Sequence, residues 1–247
     1  MIIKIIPRFE YLILLTAILI AQPLAAADKL LLTTGLNPPL VAGNNTEGFV
    51  ESLARTAFGR LGHEIEVKVV PSKLALMQSN SGKTDGQLLR IRGINKTYKN
   101  LVMIPEAMMQ TEFVAYSRKP IGELEKWQDL SQYEVSYVNG WRIFERNITD
   151  GPGVRKADDP AVLFKMLKEN RTEIVLYEKW QGLLSAKEAG IEDIVINKLP
   201  VDKIEQFMWL HNSLEHLVKP AAAALKMMKQ DGTYDEIFEK TLGHLLR

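Results

Sequence analysis

Two hydrophobic periods alternate along the chain after residue 28 and predict alternating strands and helices. A short apolar run at 29–34 ends at Gly35 and indicates a buried strand. In 49–61 the apolar positions recur every three or four residues, as on one face of a helix. Alternation at 64–69 predicts a strand with one wet face, and a further helix and strand are predicted at 72–79 and 87–89. This β-α-β-α-β order favours a mostly parallel sheet covered by helices.

The second half of the chain repeats the same alternation with different element lengths. Strands are predicted at 113–116, 134–138, 173–177, 194–196 and 207–210. Helices are predicted in a short segment opened by Gly140, at 160–168 and 180–189, and as two terminal amphipathic helices at 214–229 and 234–246. No internal repeat or long linker separates the halves, so any two lobes must be joined by extended crossings.

The N-terminal segment has the composition of a secretory signal peptide. Lys4 and Arg8 precede an apolar run at 11–20, and small residues at 25–27 form an acceptable cleavage site, which predicts cleavage after Ala27. A membrane anchor is the alternative, but the run is shorter than the roughly 18 to 20 residues that a spanning helix needs. The sequence therefore predicts export to the periplasm of a Gram-negative cell, with no membrane-embedded segment after cleavage.

Charge and cysteine content exclude several classes of protein. The chain has 31 Lys and Arg and 30 Asp and Glu, and the leader contains Lys4, Arg8 and Glu10, so the remainder is neutral. A neutral chain lacks the basic excess that would hold nucleic acid or an anionic membrane. The absence of cysteine excludes disulfides, thiol catalysis, iron-sulfur clusters and a lipid-modified N-terminal cysteine.

Three apparent catalytic or cofactor motifs fail on inspection. Gly82-Lys83-Thr84 resembles the end of a phosphate-binding loop, but Met77 stands where its first glycine is required. The segment 151–153 lacks the third glycine of a dinucleotide fingerprint. The four histidines are scattered without metal-ligand spacing. The sequence therefore predicts no cofactor, no metal and no catalytic residue.

A set of short motifs follows in order along the chain, at 35–39, Gly48-Phe49, Leu61-Gly62, 71–76, 82–86, 127–130, 135–140, 170–174 and 228–234. Together these motifs resemble those of the bacterial extracellular solute-binding proteins of family 3, the periplasmic receptors of polar amino acid ABC transporters. Each segment is short, but their order and spacing extend over essentially the whole chain after the leader.

The resemblance implies an α/β protein with the type II periplasmic-binding-protein fold. It predicts two lobes, each with a mostly parallel sheet flanked by helices, joined by two extended hinge crossings near Ser117 and Val201. Lobe one would comprise 28–116 plus 206–247, and lobe two 117–205. The implied protein is a monomer that closes on a small polar ligand and presents it to an ABC permease or a sensor protein.

The expected carboxylate-binding arginine is missing from its family position. Counting from Asp85 places that position at Thr97. The nearest substitutes are Arg90 and Arg92 on the predicted strand that leaves Asp85, with surface salt bridging as the alternative role for both. A guanidinium is suited to this task because its planar fork matches the two carboxylate oxygens.

The resemblance assigns further cleft residues on both lobes. Glu178 occupies the position of the family's ammonium-binding aspartate, with a solvated helix N-terminus as the alternative. Gly140 and Arg142 lie where the family offers backbone amides, so Arg142 is a second candidate for binding an anion. Trp141 is predicted either to stack on a ligand or to lie in the core. Asn37, after the first strand, is assigned to the same cleft.

Two hypotheses for function remain open. The first is a receptor for a small polar solute, an amino acid or a related carboxylate, serving transport or signalling. The second is a dehydratase-like periplasmic enzyme on the same scaffold, for which Glu173, Glu178 and His211 are the candidate acid-base residues.

Overall fold

The computed structural model describes residues 29–43 and 46–246. The predicted leader, residues 1–27, lies outside this part. Eleven strands and seven helices are found in the described residues, in two sheets. The strands are β1 Lys29–Thr34, β2 Glu64–Val69, β3 Gly86–Arg90, β4 Leu101–Met103, β5 Met109–Thr111, β6 Phe113–Ser117, β7 Val135–Val138, β8 Val154–Ala157, β9 Ile174–Glu178, β10 Val195–Lys198 and β11 Ile204–His211. The helices are α1 Phe49–Gly59, α2 Ser72–Asn80, α3 Arg142–Asn147, α4 Pro160–Lys168, α5 Lys179–Glu188, α6 Glu215–Gln230 and α7 Thr233–Thr241.

The first sheet has the order β2-β1-β3-β11-β4, with β5 paired to the other end of β11. Its β1, β2 and β3 are parallel, whereas β11 is antiparallel to its neighbours. Helices α1, α2 and α6 pack on these strands, and α7 packs on α1 and α6. The apolar face predicted for α1 is buried there through Phe49, Leu53 and Phe58.

The second sheet has the order β10-β6-β9-β7-β8, with α4 and α5 packed against it. Its β9, β7 and β8 are parallel, and β6 and β10 are antiparallel. All five residues of β9 are buried. This is expected for a central strand whose two faces each pack against a hydrophobic core. Helix α4 begins with Asp159, whose Oδ1 accepts a hydrogen bond from the Val162 amide at 2.8 Å.

The two predicted sheets with flanking helices are observed, but the sheet pairing corrects two details. Each sheet is mixed, because antiparallel strands occupy one side of it. Strand β6 belongs to the second sheet, so the predicted assignment of residues up to 116 to lobe one is wrong for this strand. The chain first passes between the sheets at Glu112, before β6, and not near Ser117.

The two passages between the sheets lie side by side. Residues 204–206 of β11 pair antiparallel with β5, immediately next to Glu112. The Glu112 carboxylate accepts Lys203 of the return passage at 3.3 Å and Lys179 of α5 at 3.1 Å. The nearby lysines lower the pKa of Glu112 against the opposing effect of its partial burial. The two passages are therefore joined by backbone hydrogen bonds and by charge.

Close approach of strands β3 and β11 requires Gly86. A Cβ atom at this position would lie 2.3 Å from the Trp209 carbonyl oxygen. We expect Gly86→Ala to destabilise the protein by about 1 to 3 kcal/mol, because the two strands must move apart. Gly59→Ala is the matched control: nothing lies within 4 Å of the added methyl group at the end of α1. It should be neutral or stabilising by up to about 1 kcal/mol. Urea unfolding of both variants measures the difference, and equal stabilities would contradict the packing argument.

Candidate functional site

A cavity of about 540 Å³ lies between the two sheets. The first sheet contributes residues that follow β1 and those at the end of β3, and the second contributes residues that follow β7 and the end of β9. In both sheets these are the carboxyl ends of parallel strands, where α/β proteins commonly bind ligands. The cavity is therefore the candidate binding site.

Six of the seven residues assigned to the site from the sequence line this one cavity. They are Asn37, Arg90, Gly140, Trp141, Arg142 and Glu178. They come from four separate segments of the chain, and the fold brings them together from both sheets. Thr97, the family position of the missing arginine, follows a short 3-10 turn at Ile94–Lys96 and does not line the cavity.

The Arg90 guanidinium has no carboxylate partner among residues 29–43 and 46–246. One guanidinium nitrogen, Nη2, donates to the Ser72 carbonyl oxygen at 3.1 Å. Its Nε is buried and has no hydrogen-bond partner within the part of the chain that the structure describes. Burial lowers the pKa of Arg90 to about 10, with a small opposing effect from Tyr98, so the group stays charged near neutral pH. This half-buried cation is suited to an anionic ligand group.

Arg92 was assigned to the site and does not line the cavity. Its guanidinium carbon lies 4.5 Å from the centre of the Phe207 ring, and Nη2 lies 3.8 Å from Glu205 Oε2. The chain leaves β3 after Arg90 and turns at Gly93, where φ is +88°, so Arg92 no longer follows the strand. Arg92 therefore lies at the surface near Glu205, as its alternative role of surface salt bridging predicts.

Glu178 is the most deeply buried charged side chain of the cavity, with 1% of its surface exposed. It ends β9 and caps α5: Oε2 accepts the amides of Trp180 at 3.1 Å and Gln181 at 2.9 Å. Its other oxygen, Oε1, is buried without a hydrogen-bond partner among the described residues. Burial raises the pKa of Glu178 to about 7, against the lowering effect of the capping hydrogen bonds. Glu178 therefore lies at a helix N-terminus, as the alternative role predicted, but it is buried and not solvated.

Trp141 packs in the core and also lines the cavity, while its stacking on a ligand stays a prediction. Its ring packs against Phe113 at 5.6 Å and Tyr177 at 5.1 Å between ring centres, and it also lines the cavity. The backbone amide expected at Gly140 is already used, because it donates to Glu145 Oε1 at 2.9 Å. Gly140 has φ +86°, which lets the chain turn sharply from β7 toward α3.

Asn37 joins the two sides of the cavity. Its backbone amide donates to Gln181 Oε1 at 3.2 Å. Gln181 is 3% exposed, and its Nε2 also donates to Glu178 Oε2 at 3.2 Å. The sequence reasoning missed Gln181, although a glutamine three residues after a capping residue is a known helix-start signal. Ser72, Thr111, Phe113 and Gln206 also line the cavity without having been assigned to it.

The three residues considered for an enzyme do not come together. Glu173 is exposed and accepts the Glu134 amide at 2.9 Å, and His211 Nδ1 lies 2.8 Å from the Ser213 hydroxyl. Of the three, Glu178 alone lines the cavity. No group of three or more potential metal ligands occurs among residues 29–43 and 46–246. In the same ranges no helix is long and apolar enough to cross a membrane.

Comparison with known proteins places this architecture in a known fold. An ancestral cationic amino acid solute-binding protein superposes with a TM-score of 0.70 at 19% identity, covering 87% of this chain and 95% of that one. A histidine kinase sensor domain with similarity to periplasmic binding proteins gives 0.68 at 14% identity, covering 88% and 97%. The fold is that of the periplasmic binding proteins. The fold class predicted from the sequence is confirmed.

Sequence comparison is less informative than structure comparison. No family model matches the chain. An uncharacterized protein of Shewanella oneidensis is 25% identical over 197 residues, covering 76% of this chain and 73% of that protein. Membership of family 3 therefore stays a prediction that the sequence motifs carry.

Replacing Glu178 by Gln should remove a pH-dependent part of the stability. The pKa is raised from 4.5 to about 7, so the folded protein favours the protonated form. This contribution is complete below the unfolded pKa and is lost as pH rises through the folded pKa. Relative to Glu178→Gln, the wild type should lose on the order of 3 kcal/mol of unfolding free energy between about pH 4 and pH 8.

Urea unfolding across this pH range measures the effect. Glu173→Gln makes the same chemical change on an exposed residue outside the cavity and should leave the wild-type slope unchanged. Parallel pH profiles for the wild type and Glu178→Gln would contradict the assignment.

Proposed function

We propose that this protein is a periplasmic receptor that captures a small polar solute, an amino acid or a related carboxylate, between two lobes. The lobes would be residues 29–111 with 204–246, and residues 113–203, each built on one of the two sheets. The captured solute would be presented to an ABC permease or to a sensor protein. The sensor-domain neighbour and the solute-binding neighbour support these two destinations equally.

One observation carries the proposal: two residues that line the same cavity, Arg90 and Glu178, each have one buried charged-group atom without a hydrogen-bond partner among the described residues. Arg90 Nε and Glu178 Oε1 are both buried without hydrogen bonds among the described residues. Leaving a buried donor or acceptor unsatisfied costs roughly 1 to 3 kcal/mol, and more for charged groups. A ligand with a carboxylate for Arg90 and an ammonium group for Glu178 would satisfy both, and an amino acid carries both groups on one carbon atom.

Contacts between the two lobes support binding by closure. The backbone amide of Asn37 in the first lobe donates to Gln181 Oε1 of α5 at 3.2 Å. On the same helix, the Trp180 ring packs edge-on against Phe238 of α7 at 5.3 Å between ring centres. Both contacts join the lobes and would be lost on opening. A ligand that touches both lobes therefore stabilises the closed state, as differential binding requires.

Binding without chemical change distinguishes this function from the enzyme hypothesis. The purified protein should show a rise in melting temperature with one or more compounds from a panel of amino acids, organic acids and amines. NMR spectra of the stabilising compound, recorded before and after long incubation, should be identical. Turnover of the compound that disappears in Glu178→Gln would overturn the receptor assignment in favour of an enzyme.

Arg90→Ala should abolish most of the binding without unfolding the protein. Removing one partner of a buried charge pair costs about 2 to 5 kcal/mol of binding free energy. Arg92→Ala is the matched control, because this arginine is two residues away and packs on Phe207 outside the cavity. Isothermal titration with the compound found in the panel measures both variants. Unchanged affinity in Arg90→Ala, or an equal loss in Arg92→Ala, would reject Arg90 as the anchor.

A further inference from the structure

The cavity has a surplus of positive charge. Its charged lining side chains are two arginines, Arg90 and Arg142, and a single acid, Glu178. If an amino acid binds as proposed, its carboxylate pairs with Arg90 and its ammonium group with Glu178. One cation, Arg142, then remains to face the ligand side chain. This remaining charge bears on which amino acids the cavity can accept.

Arg142 is free to take a ligand partner. No carboxylate lies within 4.0 Å of its guanidinium nitrogens in the described part of the chain. Glu145, one turn further along α3, lies outside the cavity lining and accepts the Gly140 amide. Arg142 is exposed at the cavity edge, where a bound ligand would cover it when the lobes close.

The cavity offers nothing to a cationic side chain. Glu178 is its one acidic lining residue, and Oε2 of that residue is occupied by the start of α5. The nearby acid Glu112 lies outside the lining and is paired with Lys179 and Lys203. A second ligand cation would therefore meet Arg142 without a compensating acid, which is unfavourable in a partly dry site.

We infer that Arg142 selects an amino acid with an acidic side chain, whose second carboxylate it binds. The inference rests on the proposed function and goes beyond it by naming the ligand class. It separates this protein from its structural neighbour, which is described as binding cationic amino acids. The apolar remainder of the wall, including Leu89, Phe113 and Ile143, would contact the methylene groups of the ligand.

Isothermal titration with L-glutamate, L-glutamine and L-arginine tests this inference. Glutamate and glutamine have nearly the same shape and differ in side-chain charge, so their affinity ratio isolates the second carboxylate. The wild type should bind glutamate about tenfold or more tighter than glutamine and should not bind arginine, since a hydrogen bond to a charged group is worth roughly this factor. Arg142→Gln should reduce the affinity for glutamate to that for glutamine.

Arg146→Gln is the control on the same helix. Arg146 is exposed and does not line the cavity, so the preference for glutamate should persist. Equal affinities for glutamate and glutamine in the wild type, or a preference that survives in Arg142→Gln, would overturn the inference. Arginine binding that is lost in Arg90→Ala would overturn it while leaving the receptor function intact. Failure of all amino acids, in this trio and in the wider panel, would count against both.

Discussion

A buried carboxyl group at the end of a central strand organises the site and the helix beside it. Glu178 sits where β9 stops, and the first free amides of α5 lie directly ahead of it. Burying a carboxyl group is costly unless hydrogen bonds compensate it, and here compensation comes to one oxygen from the helix that the carboxyl group starts. The other oxygen has no hydrogen-bond partner among the described residues, and in the proposed function a ligand would supply one.

The position of α5 follows from this cap. Its first turn carries Trp180 and Gln181, and these side chains contact Phe238 and Asn37 of the first lobe. A ligand group that binds Glu178 would therefore contact the residue that caps α5. The same helix makes the contacts between the lobes. Under the proposed function, recognition and closure would share this one residue, which would give a reason for a buried acid at a position where an apolar side chain costs less to bury.

Much of the fold could be predicted because long elements have clear periodicity. The seven helices and most strands follow from apolar spacing, as in the apolar face of α1, whereas the two lobes with one sheet each were implied by the family resemblance. The short strands β4, β5 and β8 were missed, because three or four residues are too few to establish a period. The lobe boundary was misplaced because the sequence of β6 does not reveal its pairing partners. An apolar strand of this kind would be buried in either of the two sheets.

The candidate site was predictable to the extent that it lies at strand ends. Residues after β1, β3, β7 and β9 could be assigned because the family resemblance implies that these strand ends face the cleft. Arg92 was misassigned because a local turn at Gly93, which the strand pattern does not show, redirects its side chain. The pairing of Gln181 with Asn37 depends on how the lobes approach each other, and short-range spacing carries no information about that distance.

The ribbon formed by β5 and the first residues of β11 limits how the lobes can move. Both passages between the sheets lie in this antiparallel pair, and Glu112 ties them again through Lys203. Paired strands resist sliding, because sliding breaks every hydrogen bond between them at once, whereas bending them together breaks none. We therefore expect relative motion of the lobes to be a rotation about this ribbon, which would bring the two halves of the proposed site together in the same register each time.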